Sequence, residues 1–249
     1  MKPETRNPTP LCRHCGIPVE RAGAVCTDCL RRWEERQVRE ERQGHATERI
    51  REAVQYGDFA PDFVGSFNES IQALEASHPD AWAAFRNWQP GQGNLYVHGP
   101  CGTGKTYGLT CILREAAADN RSIALVPALR LADVAGRYDT PPSVVERWGR
   151  VGVLLLDDLG MPRWNGPRLE VLYRVLDARA RTHRRTLVTA NLAPADLRER
   201  MCQAGCGDIA DATLDRLNPL NVLEMFGRSL RSSVNGDAMR TKGNDERCV

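Results

Sequence analysis

The segment "GPCGTGKTY" sets Gly99, Pro100, Cys101, Gly102, Thr103, Gly104, Lys105, Thr106 and Tyr107 in a row. Its first eight residues satisfy G-x-x-x-x-G-K-T. In that order glycines let backbone N–H groups converge on phosphate oxygens, and the N-terminus of a following helix adds positive potential. Lys105 has the charge and length to reach β- and γ-phosphates, and the Thr106 hydroxyl can ligate Mg²⁺. The apolar run "VLLLDD" supplies the carboxylates such a loop needs. If it is a buried strand, Asp157 and Asp158 stand at its C-terminal end, beside the loop. Asp157 would hold the Mg²⁺ shell. Asp158 would orient or deprotonate an attacking water, or it caps the turn that follows. Asn191 closes another apolar run, "TLVTAN", where its amide can bridge a γ-phosphate and water or simply make a turn. Arg216 in "DATLDRLNPL" and Arg231 in "GRSLR" are two guanidinium candidates for charge that builds on a γ-phosphate. In a chain this rich in arginine, either also reads as an ordinary surface charge.

A second set of reactive side chains lies at the front. Cys12-x-x-Cys15 and Cys26-x-x-Cys29 are separated by ten residues. Four thiolates at this spacing can surround one Zn²⁺ tetrahedrally, and so short a segment needs such a staple to fold. His14 sits within the first knuckle and reads as exposed. Cys202 and Cys206 have helical i,i+4 spacing and read as buried, whereas Cys101 falls inside the phosphate loop with its side chain exposed.

These groups must be positioned by strands and helices that the pattern also suggests. "NLYVH", "SIALVPA", "VGVLLLDD", "TLVTAN" and "NVLEMF" read as short strands, the first four as buried parallel ones. Helical stretches separate most of them, the clearest being the stripe Leu169, Leu172, Tyr173 and Leu176 after Pro167. Alternation of this kind implies an α/β fold with a parallel sheet and right-handed crossovers. Upstream, "RRWEERQVREERQGHATERIREAVQ" alternates Arg with Glu, is interrupted by Gly44 and reads as a solvated helix or linker held by i,i+4 charge pairs. The expected organisation is a leader over 1–10, a zinc module over 11–30, a charged helical linker over 31–58, a nucleotide-binding domain over 59–231 and a loose tail over 232–249.

Composition narrows the classes. With 27% charged and 41% hydrophobic residues the chain reads as soluble and globular, and a net charge of +2 confines any polyanion site to a local patch. Its apolar runs are too short to span a bilayer, and "MKPETRNPTP" lacks the hydrophobic region of a signal peptide. The expectation is therefore a cytoplasmic protein with no membrane partner. There its nine cysteines stay reduced, which favours metal binding or burial over disulfides.

Taken together, "GPCGTGKT", "VLLLDDLG", "LVTANL", "DRL" and "GRSLR" resemble the AAA+ ATPases of the DnaC/DnaI helicase-loader and IstB transposase-helper group. The upstream "FAPDFVGSFNESIQAL" is also similar to that group. The resemblance covers about Phe59 to Arg231. It implies a five-stranded parallel sheet without a helical lid, ATP as the nucleotide, and hydrolysis to ADP and phosphate with Mg²⁺. It also implies that Asn191 is a sensor-1 residue, that Arg216 is a finger reaching a neighbouring subunit's ATP, and that Arg231 acts as a sensor-2-like arginine. The function it implies first is a loader that holds a replicative helicase through its zinc module and single-stranded DNA along its ATPase domain, with self-association through the ATP site. Arg130, Arg137, Arg147 and Arg150 are the candidate DNA contacts. The alternatives are an ATPase helper of a DNA transposase, a nucleotide-gated adaptor with little hydrolysis, and, less well matched, a small-molecule P-loop kinase.

Overall fold

A computed structural model describes residues 10–21, 23–56, 72–135, 142–203 and 205–227. The expectations for Arg137, Arg231, the 232–249 tail and most of "FAPDFVGSFNESIQAL" fall outside the described residues. The chain divides into two compact units, Met1–His45 and Ala46–Val249.

In the first unit Leu11 and Pro18 form an isolated antiparallel bridge, and Cys12 accepts from Gly16 N while its own N–H donates to Ile17 O at 2.7 Å. Helix α1 (Thr27–Gln55) starts here. Its first half is exposed on every side and is held by local pairs such as Arg31–Asp28. Gly44 does not interrupt it: the helix runs through that residue into the second unit. There Ala46 and Ala53 are buried in the core, so its end is a packed element rather than a solvated linker.

The second unit is a five-stranded sheet. Its strands are β1 (Asn94–His98), β2 (Ile123–Pro127), β3 (Val153–Asp157), β4 (Arg185–Ala190) and β5 (Leu220–Glu224), in the order β2-β3-β4-β1-β5. Every pairing is parallel, with Leu95 opposite Leu187 and Leu155 opposite Leu187 and Leu125. The first four strands are buried nearly throughout, as continuous Val/Leu runs require when helices cover both faces. β5 is an edge strand and largely exposed.

The helices of this unit are α2 (Gln72–Ser77), α3 (Pro79–Asn87), α4 (Lys105–Ala118), α5 (Ala128–Ala135), α6 (Pro142–Arg150), α7 (Gly166–Arg181), α8 (Pro194–Cys202) and α9 (Gly207–Asp215). One face of the sheet packs on α3 and α4 through Phe85, Leu109, Ile112 and Leu113. The other packs on α5 to α9 through Leu131, Trp148, Leu172, Leu176 and Leu197. α7 is capped by Asn165, whose side chain accepts from Arg168 N at 3.1 Å. Its buried stripe is Leu169, Leu172, Val175 and Leu176. Tyr173 lies at the margin of that stripe and turns its hydroxyl to Arg216. Cys202 and Cys206 do not share a helix, because Cys202 ends α8 and Cys206 precedes α9; both are only half-buried against the core. Among the described residues, no helix is long and apolar enough to cross a membrane.

Candidate nucleotide site and cysteine centre

The phosphate loop links β1 to α4. It leaves the strand at Gly99, which adopts φ 136°, and a Cβ there would stand 2.0 Å from the Met225 carbonyl oxygen. Only glycine fits between these two backbones. The loop enters α4 through Gly104 at φ 94°, the left-handed cap of the helix. Lys105 is buried, and its Nζ donates to the carbonyls of Gly99 and Pro100 at 2.8 and 2.7 Å. Thr103 Oγ1 donates to Pro100 O at 3.1 Å, which tightens the turn. Cys101 is exposed, as expected. Tyr107 turns away from the loop and stacks on Trp82 of α3, with ring centroids 6.3 Å apart.

The predicted partners meet this loop. Thr106 Oγ1 donates to Asp157 Oδ1 at 2.7 Å, joining the first turn of α4 to the end of β3. A hydroxyl and a carboxylate oxygen in contact are the hard-oxygen pair that Mg²⁺ takes in such sites. Asp158 follows at φ 55° and is exposed. Thr189 joins the two aspartates: its hydroxyl donates to Asp157 Oδ1 at 2.6 Å and accepts from Asp158 N at 2.8 Å. Sequence reasoning missed Thr189, although a hydroxyl two residues before Asn191 in an otherwise apolar strand was the available signal. Asn191 immediately follows the same strand and lies against Gly160. A Cβ on Gly160 would lie 2.1 Å from Asn191 Oδ1, so the bare glycine makes room for that amide. Tyr96 reaches across from β1 and donates to Leu192 O at 2.8 Å, steadying the turn after Asn191.

Arg216 stands elsewhere. It caps the C-terminus of α9 and is held against α7, where its Nε donates to Asp177 Oδ1 at 2.8 Å and its Nη2 to the Tyr173 hydroxyl at 3.2 Å. The guanidinium also lies over the Tyr173 ring. The Arg216 hydrogen bond, followed by the Arg181 charge, holds Asp177 below the ordinary carboxylate range.

In the first unit, the sulfurs of Cys12, Cys15, Cys26 and Cys29 all lie within 4.8 Å of one another. Tetrahedral Zn–S bonds place sulfurs about 3.8 Å apart, so the cluster needs only slight contraction around an ion. Backbone N–H groups already point at it, with Cys26 N donating to Cys12 Sγ at 3.4 Å. That donation is the largest of several that draw the Cys12 thiol down to about 6. The neighbouring Cys15 and Cys26 sulfurs push Cys29 up to about 12. Four thiolates so close repel one another unless a cation sits among them, so the donor set suits a soft divalent ion.

A parallel sheet ordered 2-3-4-1-5, with a phosphate loop after the first strand and carboxylates after the third, defines a P-loop nucleotide-binding core of the AAA+ type. The chain belongs to the IstB-like ATP binding protein family, whose sequence model matches residues 34–243. It is 33% identical over 153 residues to a putative insertion sequence ATP-binding protein of Sinorhizobium fredii, covering 58% of this chain and 59% of that protein. A putative ATP-binding protein in an insertion sequence of Mycobacterium tuberculosis is 28% identical over 153 residues, with 60% and 59% covered. The matches thus span about three-fifths of the length of these curated relatives. Among solved structures, the fold is similar to DnaI, with a TM-score of 0.52 and 24% identity over 69% of this chain and 93% of that one.

Proposed function

We propose that the chain is an ATPase that serves as the nucleotide-driven helper of a DNA transposase. The observation that supports hydrolysis is the chain of contacts from Thr106 through Asp157 and Thr189 to Asp158, with Asn191 beside it. Lys105 would give up the carbonyls of Gly99 and Pro100 for β- and γ-phosphate oxygens. Thr106 and Asp157 would hold Mg²⁺, which supplies charge neutralisation at the phosphates. Asp158, exposed beside them, would orient the attacking water with Asn191 or take its proton. Arg216 would complete a neighbouring copy's site after leaving Asp177, while Arg231 remains a candidate for the chain's own γ-phosphate. Membership of the IstB-like family and the insertion-sequence relatives favour the transposase as partner.

A second reading, loading of a replicative helicase onto single-stranded DNA, is favoured by the four-cysteine centre. In that reading Zn²⁺ would be held by Cys12, Cys15, Cys26 and Cys29, and the folded knuckles would present a protein-binding surface. The two are separated by capture of the full chain, with and without ATP, on an immobilised transposase of the same element and on the host's replicative helicase. ATP-dependent capture by the transposase alone supports the helper, and capture by the helicase alone supports the loader. Basal turnover that is unchanged in Asp158→Asn would sink the hydrolytic assignment common to both.

A further inference from the structure

Arg216 is placed where it cannot serve its own phosphate loop. The carbonyl of its neighbour Leu217 accepts from Asn94 Nδ2 at 2.7 Å, and Asn94 is the first residue of β1. The phosphate loop leaves the other end of that five-residue strand, about 16 Å away at the rise of a parallel strand. An extended arginine side chain reaches less than half as far. Each of the three guanidinium nitrogens faces a group of its own chain instead. Nε donates to Asp177 Oδ1 at 2.8 Å, Nη2 donates to the Tyr173 hydroxyl at 3.2 Å, and Nη1 stands 3.6 Å from Asp215 Oδ2. The guanidinium carbon lies 5.5 Å from the centre of the Tyr173 ring. Tyr173 and Asp177 are one turn apart on α7, so they share one strip of its surface.

Asp177 has a second cation. Arg181, one turn further along α7, donates from Nε to Asp177 Oδ2 at 2.7 Å. The two carboxylate oxygens thus serve different arginines, one from α7 itself and one from the end of α9. Departure of Arg216 leaves the half-buried carboxylate with Arg181 as its counter-charge, so no orphaned ion results. The Arg216 side chain is 33% exposed, and it can leave by rotating about its own bonds without opening the core.

We propose that Asp177 and Tyr173 form a latch that holds Arg216 in the isolated chain and releases it to the nucleotide of a second copy, while Arg181 keeps the Asp177 charge. Turnover is then coupled to assembly, because ATP bound to one copy lacks its guanidinium until a neighbour's latch opens. The latch rests on the reading of Arg216 as the group that completes a neighbouring site, and adds how that group is withheld. Release exchanges one set of charge-assisted hydrogen bonds for another, so the two positions of Arg216 are close in energy.

The test is phosphate release by the full chain at saturating ATP and Mg²⁺, as a function of protein concentration. The concentration that gives half-maximal turnover per chain marks assembly. Asp177→Asn keeps the shape of the side chain and removes its charge. Half-maximal turnover should then come at about threefold lower concentration, the scale of a partly exposed ion pair, and the rate at saturation should not fall. Tyr173→Phe loses only the hydroxyl and should move the midpoint the same way, by about twofold. Arg181→Gln removes the charge that competes for Asp177 and should move it the opposite way. Urea unfolding checks that each variant is folded; if Asp177→Asn is not, the opposed shifts of Tyr173→Phe and Arg181→Gln decide. The latch is overturned if folded Asp177→Asn assembles no more readily than the wild type, or if Tyr173→Phe and Arg181→Gln do not shift in opposite directions. It is also overturned if the saturated rate of Asp177→Asn falls, since Asp177 would then support Arg216 in the assembled state. Arg216→Ala separates the two levels and should lose the rise of turnover with concentration. A rise that persists in Arg216→Ala overturns the reading of Arg216 itself, and the latch with it. With that rise lost and Asp177→Asn unchanged, only the latch fails.

Discussion

Thr189 shows how little separates a structural hydroxyl from a site residue. It touches both the Asp157 carboxylate and the Asp158 backbone amide, and so fixes that carboxylate and the backbone of Asp158 relative to Thr106. Thr189→Val, equal in shape, should keep the fold and lower ATP turnover at least tenfold, read by steady-state phosphate release. Lys105→Ala should abolish nucleotide binding, whereas Asp158→Asn should bind ATP normally and turn over at least a hundredfold more slowly. Gly160→Ala is a sharper probe of Asn191. The new methyl would meet the end of a side chain, Asn191 Oδ1, so the chain should fold with a melting temperature near that of the wild type. Its ATP affinity should persist while turnover falls to the level of Asn191→Ala. Normal turnover in Gly160→Ala would remove Asn191 from the reaction.

At the scale of elements, α7 ties the two halves of the site region together. Arg179 is a buried cation with no carboxylate partner among the described residues, and burial, helped by the Arg184 charge, pulls its guanidinium down to about 9, still charged at neutral pH. Its acceptors are backbone carbonyls at the end of α6 and the start of β4, together with Thr186. Arg179→Met keeps the volume but leaves several buried acceptors unpaired, which should cost about 3 kcal/mol or more in urea unfolding. The same helix holds Asp177 for Arg216. Because the folded-state pKa of Asp177 is depressed, its stabilising contribution is complete above the ordinary value of 3.8 and is lost as pH falls through the lower folded value. Arg216→Ala should therefore reduce stability at neutral pH and lose that difference from the wild type in strong acid. A constant difference across an acid titration would show that the ion pair is not its source.

For the whole molecule, the two units predict two separable losses. The first has Cys12 as its one buried residue among those described before Ala46, and leaves Leu11, Ile17, Leu30 and Trp33 exposed. With so little core, its knuckles are expected to fold only when the four sulfurs hold an ion. The purified chain should contain one Zn²⁺, measured by elemental analysis. Chelation should erase amide protection over 10–30 while ATP binding by the second unit, which has its own core, is preserved. Protection that survives complete removal of metal would show that the knuckles fold without it.

Local chemistry made the phosphate loop, the terminal aspartates and the cysteine pairs legible from the sequence alone, because each depends on residue types at fixed short spacing. The strands were legible for the same reason, since a strand covered on both faces must be apolar throughout. What tertiary structure decided are the meetings between distant segments. Thr189 reaches Asp157 only because β4 pairs with β3, and Gly160 clears space for Asn191 only because the turn after β3 passes the end of β4. Arg216 pairs with Asp177 because α9 packs on α7, and α1 ends as core because Ala46 and Ala53 find apolar neighbours that no local pattern announces. Spacing along the chain specifies which atoms a segment can offer, but the burial, partners and direction of those atoms depend on which strand lies beside which.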